Sequence, residues 1–427
     1  MKKFGIIFSG QGSQYVGMGK EIYQNYSSAK KIFDEASESL SFDVAKLCFE
    51  GSMEELTKTE NTQPALLTMS VAAYQVYKEE IGIRPDYFAG HSLGEISALT
   101  CAEAIPFYDA VKIARSRGLF MQEAVSLGEG AMAAVGGVDQ AVIEQDCEKA
   151  SQEGSVVVLS NINSPSQLVI SGHKEAVDRV SEFLKARGAH VTLLQVSAPF
   201  HSPLMQPAAD QFSEELKNYQ FGKGKIKIPV LSNVNAQPYQ GKENIVDNLT
   251  KQIVAPVKWQ SCMAYLKQNQ VKYLLEIGPG KTLKNLVSKN TTDIESHSFD
   301  KDFDLPLLKK TIHQFEKSKL YFISRSLGMA VSTKNYNENQ EEYQKGVIES
   351  YKKMKEIQAD LESQAKQPSD QQIREIAELL QMIFITKKTP QEEQVARFQK
   401  LFAETDTEEL FQDFTFTQVG RTTVQTV

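Results

Sequence analysis

Cysteine and histidine are scarce in this chain of 427 residues, which contains four cysteines and six histidines. The cysteines are scattered without paired spacing, so they favour a reducing compartment over a disulfide framework or a zinc site. The histidines show no ligand spacing either. We therefore predict that the protein binds no metal.

Long apolar runs and a surplus of positive charge are also missing. No apolar stretch approaches the ~18 residues that a membrane span needs. The start, MKKFGIIFSGQG, has a short apolar run that glycine and glutamine interrupt, so it predicts a buried strand and not a signal peptide. With 47 Lys and Arg against 54 Asp and Glu, the net charge of -7 argues against a general nucleic-acid binder. These absences favour a cytoplasmic protein without membrane or nucleic-acid partners.

Alternating strand and helix patterns predict an α/β protein of two or three structural units. Residues 131–196 have the order βαββαβ, which is that of a ferredoxin-like unit. We expect this unit, at 129–197, to be inserted into an α/β core formed by residues 1–128 and 198–316. The core is predicted to resume with a strand at 228–234.

Beyond about residue 300 the composition changes: glycine becomes less frequent, and Gln, Glu and Lys become more frequent. We interpret residues 317–427 as a linker and a helical C-terminal extension, with three or four short amphipathic helices from residue 340 onward. Capping-box patterns begin at Ser369, Thr389 and Thr405. The apolar run 327–331 in the linker suggests packing against the α/β core.

The motif Gly90-His91-Ser92-Leu93-Gly94 lies between a predicted strand and a predicted helix, as a G-x-S-x-G nucleophile elbow does. Its glycines allow the chain to turn sharply, so that the serine hydroxyl projects from the sheet edge. The helix N-terminus then offers backbone N–H groups for an oxyanion. The alternative is a small-residue turn that happens to contain serine.

A serine nucleophile needs a base, and we predict that it is His201. His201 follows the inserted unit, where the chain must return to the core beside the elbow. His91 lies inside the elbow and would point away from the reacting face, whereas His173 and His190 lie at element ends on the insertion. A purely structural role is the alternative for a lone loop histidine.

Two glycine-rich loops imitate nucleotide-binding motifs. Gly10-Gln11-Gly12 has Tyr15 at the third glycine position of a dinucleotide fingerprint, so a backbone N–H near Gln11 that completes an oxyanion hole is the better role. GPGKT at 278–282 lacks the earlier glycine of a phosphate loop, because Leu275 stands there. We interpret it as a turn before a helix.

Seven ordered motifs together resemble the malonyl-CoA:acyl-carrier-protein transacylase family over about residues 1–315. They are FSGQGSQYVGMG, TQPALLT, GHSLGE, SRGLFMQEA, SAPFH, QIVAPVKW and EIGPGKTL. The resemblance implies an α/β-hydrolase-like core with an inserted ferredoxin-like subdomain and a ping-pong reaction through an acyl-serine. It also implies malonyl-CoA and an acyl carrier protein as partners, and no cofactor.

Carried over residue by residue, the resemblance makes Ser92 the nucleophile and His201 its base. The backbone N–H groups of Gln11 and Leu93 would form the oxyanion hole. A backbone carbonyl at Gln252 would orient the histidine, so no triad aspartate is needed.

The resemblance also implies substrate-binding residues. Arg117 would hold the malonyl carboxylate, and its planar fork suits a bidentate contact with a free acid. Gln63 would have a supporting role at most. Phe200 would crowd a substituent on the α-carbon and so favour malonyl over methylmalonyl, whereas Arg115 is expected to be a solvated helix residue.

The tail is similar to extensions of discrete acyltransferases that serve polyketide synthases without built-in ones. The main hypothesis is therefore a malonyltransferase acting in trans for polyketide synthesis, with the extension contacting synthase components. A malonyltransferase of fatty-acid synthesis, an editing acyl hydrolase and an idle scaffold are the alternatives. The tail argues against the first alternative, Arg117 against the second, and the full set of Ser92, His201 and Arg117 against the third.

Overall fold

The computed structural model describes residues 3–415, except for 127, 152–153, 197, 222–225, 242, 301–304, 365 and 406, and only the backbone of 305–318. Residues 416–427 of the predicted extension lie outside the described residues. The chain folds into two compact units, which are divided between residues 303 and 304. Within the described residues, no helix has the length and apolarity to cross a membrane.

The described strands form two sheets of four strands each. Their bounds are β1 Lys3–Phe8, β2 Tyr87–Gly90, β3 Gly130–Gly136, β4 Val157–Ser164, β5 Gln167–His173, β6 His190–Leu193, β7 Val271–Ile277 and β8 Glu295–Phe299.

The first sheet has the order β2-β1-β7-β8, and all its pairs are parallel. Strand β1, KFGIIF, is buried almost throughout, as expected for a central parallel strand that is covered on both faces. Phe8 pairs with both Gly90 and Ile277. The carboxyl ends of β1, β2 and β7 therefore meet at one edge, so the loops that follow them open together.

The second sheet has the order β4-β5-β3-β6, and its pairs are antiparallel. Along the chain its elements follow the order strand, helix, two strands, helix, strand between residues 130 and 193. Ile143 and Val180, from the two helices of this segment, are buried in one cluster with Ile170 of β5. This segment therefore has an apolar core of its own.

The helices of the first unit accompany both sheets along the chain. Their bounds are α1 Lys20–Asn25, α2 Ser27–Leu40, α3 Val44–Glu50, α4 Met53–Thr57, α5 Thr59–Glu80, α6 Leu93–Cys101, α7 Phe107–Glu123, α8 Gln140–Ala150, α9 Lys174–Ala186, α10 Gln206–Leu216, α11 Glu243–Val254, α12 Trp259–Gln268 and α13 Thr282–Asn290; a 3₁₀ turn spans Pro203–Met205.

The predicted strand at 228–234 is absent as a regular strand. Only isolated bridges form there, between Phe88 and Val230 and between Leu231 and Pro238. The chain turns immediately afterwards, where Ala236 has a positive φ and donates its N–H to the Ser232 carbonyl. This turn ends the extended stretch before a ladder can continue.

The second unit is helical in its described part. Its bounds are α14 Leu305–Ser332, α15 Gln340–Tyr343, a π-helical turn Gln344–Ile348, α16 Glu349–Ser363, α17 Asp370–Thr386, α18 Gln391–Thr405 and a 3₁₀ turn Glu408–Phe411. Phe322, Leu380, Phe398 and Phe402 are fully buried in its core.

Two sequence expectations for this unit differ from the structure. The residues 327, 329 and 330 of the apolar run belong to the core of the helical unit itself, and Val331 is 67% exposed. Ser369 forms the predicted capping box with α17. The Thr389 hydroxyl has no hydrogen-bond partner among the described residues, and that of Thr405 donates to the Leu401 carbonyl, so these two do not cap helices.

Candidate active site

The elbow between β2 and α6 is a tight turn that only glycine permits at two positions. A Cβ on Gly90 would lie 1.9 Å from the Gly94 carbonyl carbon, and one on Gly94 would lie 2.1 Å from the Phe8 carbonyl oxygen. Ser92 between them has φ 52° and ψ -106°, a sparsely populated backbone conformation. Strain of this kind is kept where the surroundings fix it, and it often marks a functional residue.

Ser92 and His201 are in direct contact. Ser92 Oγ lies 2.9 Å from His201 Nε2, and His201 Nδ1 lies 2.7 Å from the carbonyl oxygen of Gln252. The contact with a carbonyl requires Nδ1 to carry the proton, so Nε2 is free to accept the serine proton. Burial, reinforced by the positive charge of Arg117, lowers the pKa of His201 to about 3. The imidazole is therefore neutral at physiological pH, as a general base must be.

Arg117 on α7 faces the same serine from a fully buried position. Its Nη1 donates to Gln63 Oε1 at 2.8 Å, and its Nη2 donates to Gln252 Oε1 at 2.8 Å and to Ser92 Oγ at 3.1 Å. Burial lowers the pKa of Arg117 to about 10, so the guanidinium stays charged at neutral pH. No carboxylate in the described part of the chain forms an ion pair with it. A buried cation held only by neutral oxygens is suited to receive an anionic group.

A buried polar network that the sequence did not predict lies behind this site. The Glu95 carboxylate accepts hydrogen bonds from Gln252 Nε2 at 2.6 Å, from the Asn233 N–H at 2.9 Å and from the Tyr239 hydroxyl. Asn233 Oδ1 accepts from the Ser92 N–H at 2.7 Å, and its Nδ2 donates to the Gly90 carbonyl at 2.8 Å. The network thus fixes both sides of the elbow.

The sequence contained one signal of this network. Glu95 directly follows the elbow motif and is the charged residue in the otherwise uncharged segment LGEISALTC. A carboxylate on a fully buried helix must have partners, so its burial could have been suspected. Asn233 and Tyr239 carry no comparable signal, because they reach the site through an irregular loop.

The two predicted oxyanion donors come from the loop after β1 and from the start of α6. Gln11 lies in the loop after β1, and Leu93 is the first residue of α6 with its side chain fully buried. Among the described residues, neither backbone N–H donates to a protein acceptor. The positive end of the helix dipole adds to the potential at Leu93.

A cavity of about 750 Å³ opens above the serine. Gln11, Ser92, Arg117, Phe200 and His201 line it, and Phe200 is buried beside the base. The second sheet supplies apolar wall residues. They are Met132, Ala134 and Val169.

Of the other residues considered, His91 lies at the cavity, whereas His173, His190 and Arg115 do not line it. His91 lines the same cavity, with Nε2 2.8 Å from Asn163 Oδ1, so the expectation that it points away is wrong. His173 Nδ1 accepts from the Val156 N–H, and His190 is exposed on β6. Arg115 is partly exposed and pairs with Glu60 at 3.4 Å, outside the cavity.

Backbone N–H groups in and directly after the GPGKT loop at 278–282 donate to carboxylates of the protein itself. The Glu276 carboxylate accepts from the N–H groups of Leu283 and Lys284 at the start of α13, and Asp300 accepts from the Gly280 N–H. These carboxylates take the positions that a phosphate would need. No group of His, Cys, Asp and Glu in the described residues has the arrangement of a metal site.

Comparison with known proteins agrees with this geometry. The pattern of the acyl transferase domain family matches residues 6–332. A malonyl CoA-acyl carrier protein transacylase of Bacillus subtilis is 38% identical over 398 residues, which are 92% of this chain and 99% of that protein. One from Escherichia coli strain K12 is 47% identical over 290 residues, 68% of this chain and 93% of that protein.

This chain is also similar in fold to a malonyl-transacylase complex of known structure. That structure is a type II polyketide synthase acyl-carrier protein in complex with its malonyl-transacylase, and a chain in it is 39% identical to this one. The match covers 73% of this chain and 100% of that chain, with a TM-score of 0.70. The fold and the elbow thus define the class of protein, which is an acyltransferase. Within that class, the chain belongs to the family of the malonyl CoA-acyl carrier protein transacylases.

Proposed function

We propose that this enzyme transfers a malonyl group from malonyl-CoA to the phosphopantetheine thiol of an acyl carrier protein. The observation that carries the proposal is the placement of a serine–histidine pair and a buried arginine in one cavity. The pair supplies nucleophile and base, and the arginine supplies a binding site for the free carboxylate of the acyl group.

In the first half-reaction, Ser92 Oγ attacks the thioester carbonyl while His201 Nε2 takes the hydroxyl proton. The C–S bond then breaks, and His201 returns the proton to the departing sulfur, which leaves as coenzyme A thiol. In the second half-reaction, the carrier thiol attacks the acyl-serine, His201 takes the thiol proton, and Ser92 regains it as the ester bond breaks. No cofactor takes part in this scheme.

The N–H groups of Gln11 and Leu93 stabilise the oxyanion in both half-reactions. Their availability supports this assignment, because neither donates to another described residue. The carbonyl of Gln252 orients His201, which the 2.7 Å contact with Nδ1 supports. The base then works without an aspartate.

Arg117 binds the malonyl carboxylate, and Gln63 holds the guanidinium from the other side at 2.8 Å. A bidentate contact would use the fork of N–H groups that now includes an unpartnered Nε. Phe200 limits the space at the α-carbon and so disfavours methylmalonyl. Its position on the cavity wall directly before His201 supports this role.

The domain assignment is also part of the proposal. We assign residues 1–128 and 198–303 to an α/β-hydrolase-like core and 129–197 to an inserted ferredoxin-like subdomain, with the end of the core moved from residue 316 to the division between the two units. The parallel sheet below the elbow and the strand–helix order of the second sheet support it. The C-terminal extension, expected from residue 317, then begins with the helical unit at residue 304.

The enzyme acts in trans for polyketide synthesis under this proposal. The match with the Bacillus subtilis relative spans 92% of this chain and so includes most of the helical unit, whereas the match with the Escherichia coli protein spans 68%. The extension would contact synthase components. A malonyltransferase of fatty-acid synthesis is the second candidate.

Intact-mass analysis after mixing with malonyl-CoA alone tests the chemistry. One malonyl mass should appear on Ser92, because the first half-reaction needs no acceptor. Ser92→Ala should abolish the adduct, and His201→Ala should slow it by several orders of magnitude, since nucleophile and base act as a unit. An acyl group mapped to Cys101 or another residue would contradict the mechanism.

Competition between two acceptors tests the pathway. A holo carrier protein from fatty-acid synthesis and one excised from a polyketide synthase are offered together to malonyl-loaded enzyme. Faster transfer to the polyketide carrier is expected. Faster transfer to the fatty-acid carrier would support the second candidate instead.

A further inference from the structure

The fully buried Glu95 carboxylate has no role in the reaction described so far. It lies on α6, one turn beyond the serine, and accepts from Gln252, Asn233 and Tyr239. Gln252 connects it to the active site, because the same amide donates to Glu95 through Nε2 and accepts from Arg117 through Oε1. One side chain therefore separates the buried anion from the buried cation.

The two charges balance in the empty site. Arg117 has no direct ion pair with a described residue, and an isolated buried cation is costly, so Glu95 acts as its counter-charge through Gln252. His201 is neutral and contributes no charge. The empty site thus has a net charge of zero when Glu95 is ionised.

Loading of a malonyl group disturbs this balance. The carboxylate adds a second anion beside a single cation, and charges interact strongly here because Arg117 and Glu95 are both buried. An acetyl group brings no such charge. Of the two buried partners, only Glu95 can relieve the excess, by taking up a proton.

We propose that Glu95 is a specificity-determining residue that takes up one proton from solvent when a carboxyacyl group binds to Arg117, so that the buried site stays neutral. The inference rests on the proposed function, since it requires malonyl at Arg117. The Gln252 amide need not move, because the protonated carboxyl can donate to the Tyr239 oxygen and still accept from Gln252.

The ionisable groups around Glu95 favour this assignment. Burial raises the pKa of Glu95 to about 7, and its hydrogen bonds and Arg117 oppose that rise. Burial raises the pKa of Tyr239 well above its usual value and also raises that of Cys262 on α12. Arg117, with a pKa of about 10, and His201, with a pKa of about 3, keep their charge states near neutrality. Glu95 alone among these groups changes charge there.

The test uses the full-length enzyme and measures kcat/KM for malonyl-CoA and for acetyl-CoA at a series of pH values. The quantity compared is the malonyl-to-acetyl ratio of these two kcat/KM values at each pH. Effects of pH that malonyl-CoA and acetyl-CoA share, including titration of the coenzyme A phosphates, cancel in this ratio. It should be constant below about pH 7 and fall by up to about tenfold per pH unit above, because the ionised Glu95 opposes the malonyl carboxylate. A ratio that does not change with pH in the wild-type enzyme would overturn the inference without any variant.

Two variants sharpen the result. Glu95→Gln imitates the protonated carboxyl. The malonyl-to-acetyl ratio of this variant should therefore stay, at every pH, at the value that the wild type has at low pH. Tyr239→Phe removes a hydrogen bond that favours the ionised form, so the fall should move to higher pH with the low-pH ratio unchanged. A Glu95→Gln enzyme that loses malonyl loading selectively at all pH values would show instead that the charge is needed for binding.

Direct proton counting separates this inference from the proposed function. In weakly buffered solution with a pH indicator near pH 8, malonyl loading should consume more protons than acetyl loading, and Glu95→Gln should abolish the difference. Wild-type enzyme that forms no malonyl-Ser92 would refute the proposed function. Wild-type enzyme that forms it with equal proton uptake for both donors would refute only the role of Glu95.

Discussion

Replacing Arg117 by alanine is the most direct perturbation of donor choice. In the proposed complex, the malonyl carboxylate is buried against a guanidinium that Gln63 and Gln252 hold from two sides at 2.8 Å. Arg117→Ala removes the cation and leaves a carboxylate without a partner in a buried position. Malonyl loading should fall, whereas acetyl loading should persist or rise.

The magnitude follows from the burial. Removing one partner of a buried ion pair costs about 3–5 kcal/mol. At 1.36 kcal/mol per factor of ten, this corresponds to about two to four factors of ten in malonyl loading. The substitution also leaves the Gln63 and Gln252 side-chain oxygens without their hydrogen bond from Arg117. This cost is the same for malonyl-CoA and acetyl-CoA. The malonyl-to-acetyl ratio therefore isolates the effect of the carboxylate contact.

The assay is acylation of Ser92 from malonyl-CoA and from acetyl-CoA, followed by rapid quench and intact mass. Arg115→Ala is the matched control, because Arg115 lies on the same helix, is partly exposed and pairs with Glu60 outside the cavity. Arg117→Lys should be intermediate, since it keeps the charge but loses the fork. If Arg117→Ala keeps the wild-type malonyl-to-acetyl ratio, the carboxylate binds elsewhere and the reasoning fails.

Two further predictions concern the acyl pocket and the helical unit. Phe200→Ser should admit methylmalonyl-CoA better in the same loading assay, because a buried ring on the cavity wall is removed; an unchanged donor preference would place the α-carbon elsewhere. A chain that ends after residue 303 should still load malonyl onto Ser92, because the site residues lie in the first unit, while transfer to a polyketide carrier should weaken; a soluble truncation unable to load would place tail residues at the site.

The sequence predicted those parts of the site that short local patterns encode. The elbow could be recognised because two glycines and a serine must follow a strand at fixed spacing, and the structure has β2 and α6 on either side. The Arg117 and Gln252 positions came from the family resemblance, since nothing local distinguishes one helix arginine or glutamine from another. The contact of Gln252 with His201 joins residues 51 positions apart.

The parts that sequence reasoning missed depend on long-range packing. Asn233 hydrogen-bonds to the Ser92 N–H across 141 positions, from a stretch that was predicted to be a strand but turns after two bridges. Tyr239 returns along that turn to reach Glu95. Irregular backbone of this kind has no periodicity, so its contacts follow only from the tertiary fold.

The neutral orienting group of His201 has a physical reason in the proposed reaction. An aspartate at Nδ1 would add a buried anion close to the site where the malonyl carboxylate must bind, and like charges repel strongly in a buried site. The Gln252 carbonyl fixes the same tautomer without charge, at 2.7 Å from Nδ1. Its side chain meanwhile contacts Arg117 and Glu95. One residue therefore orients the base and connects the cation to its counter-charge.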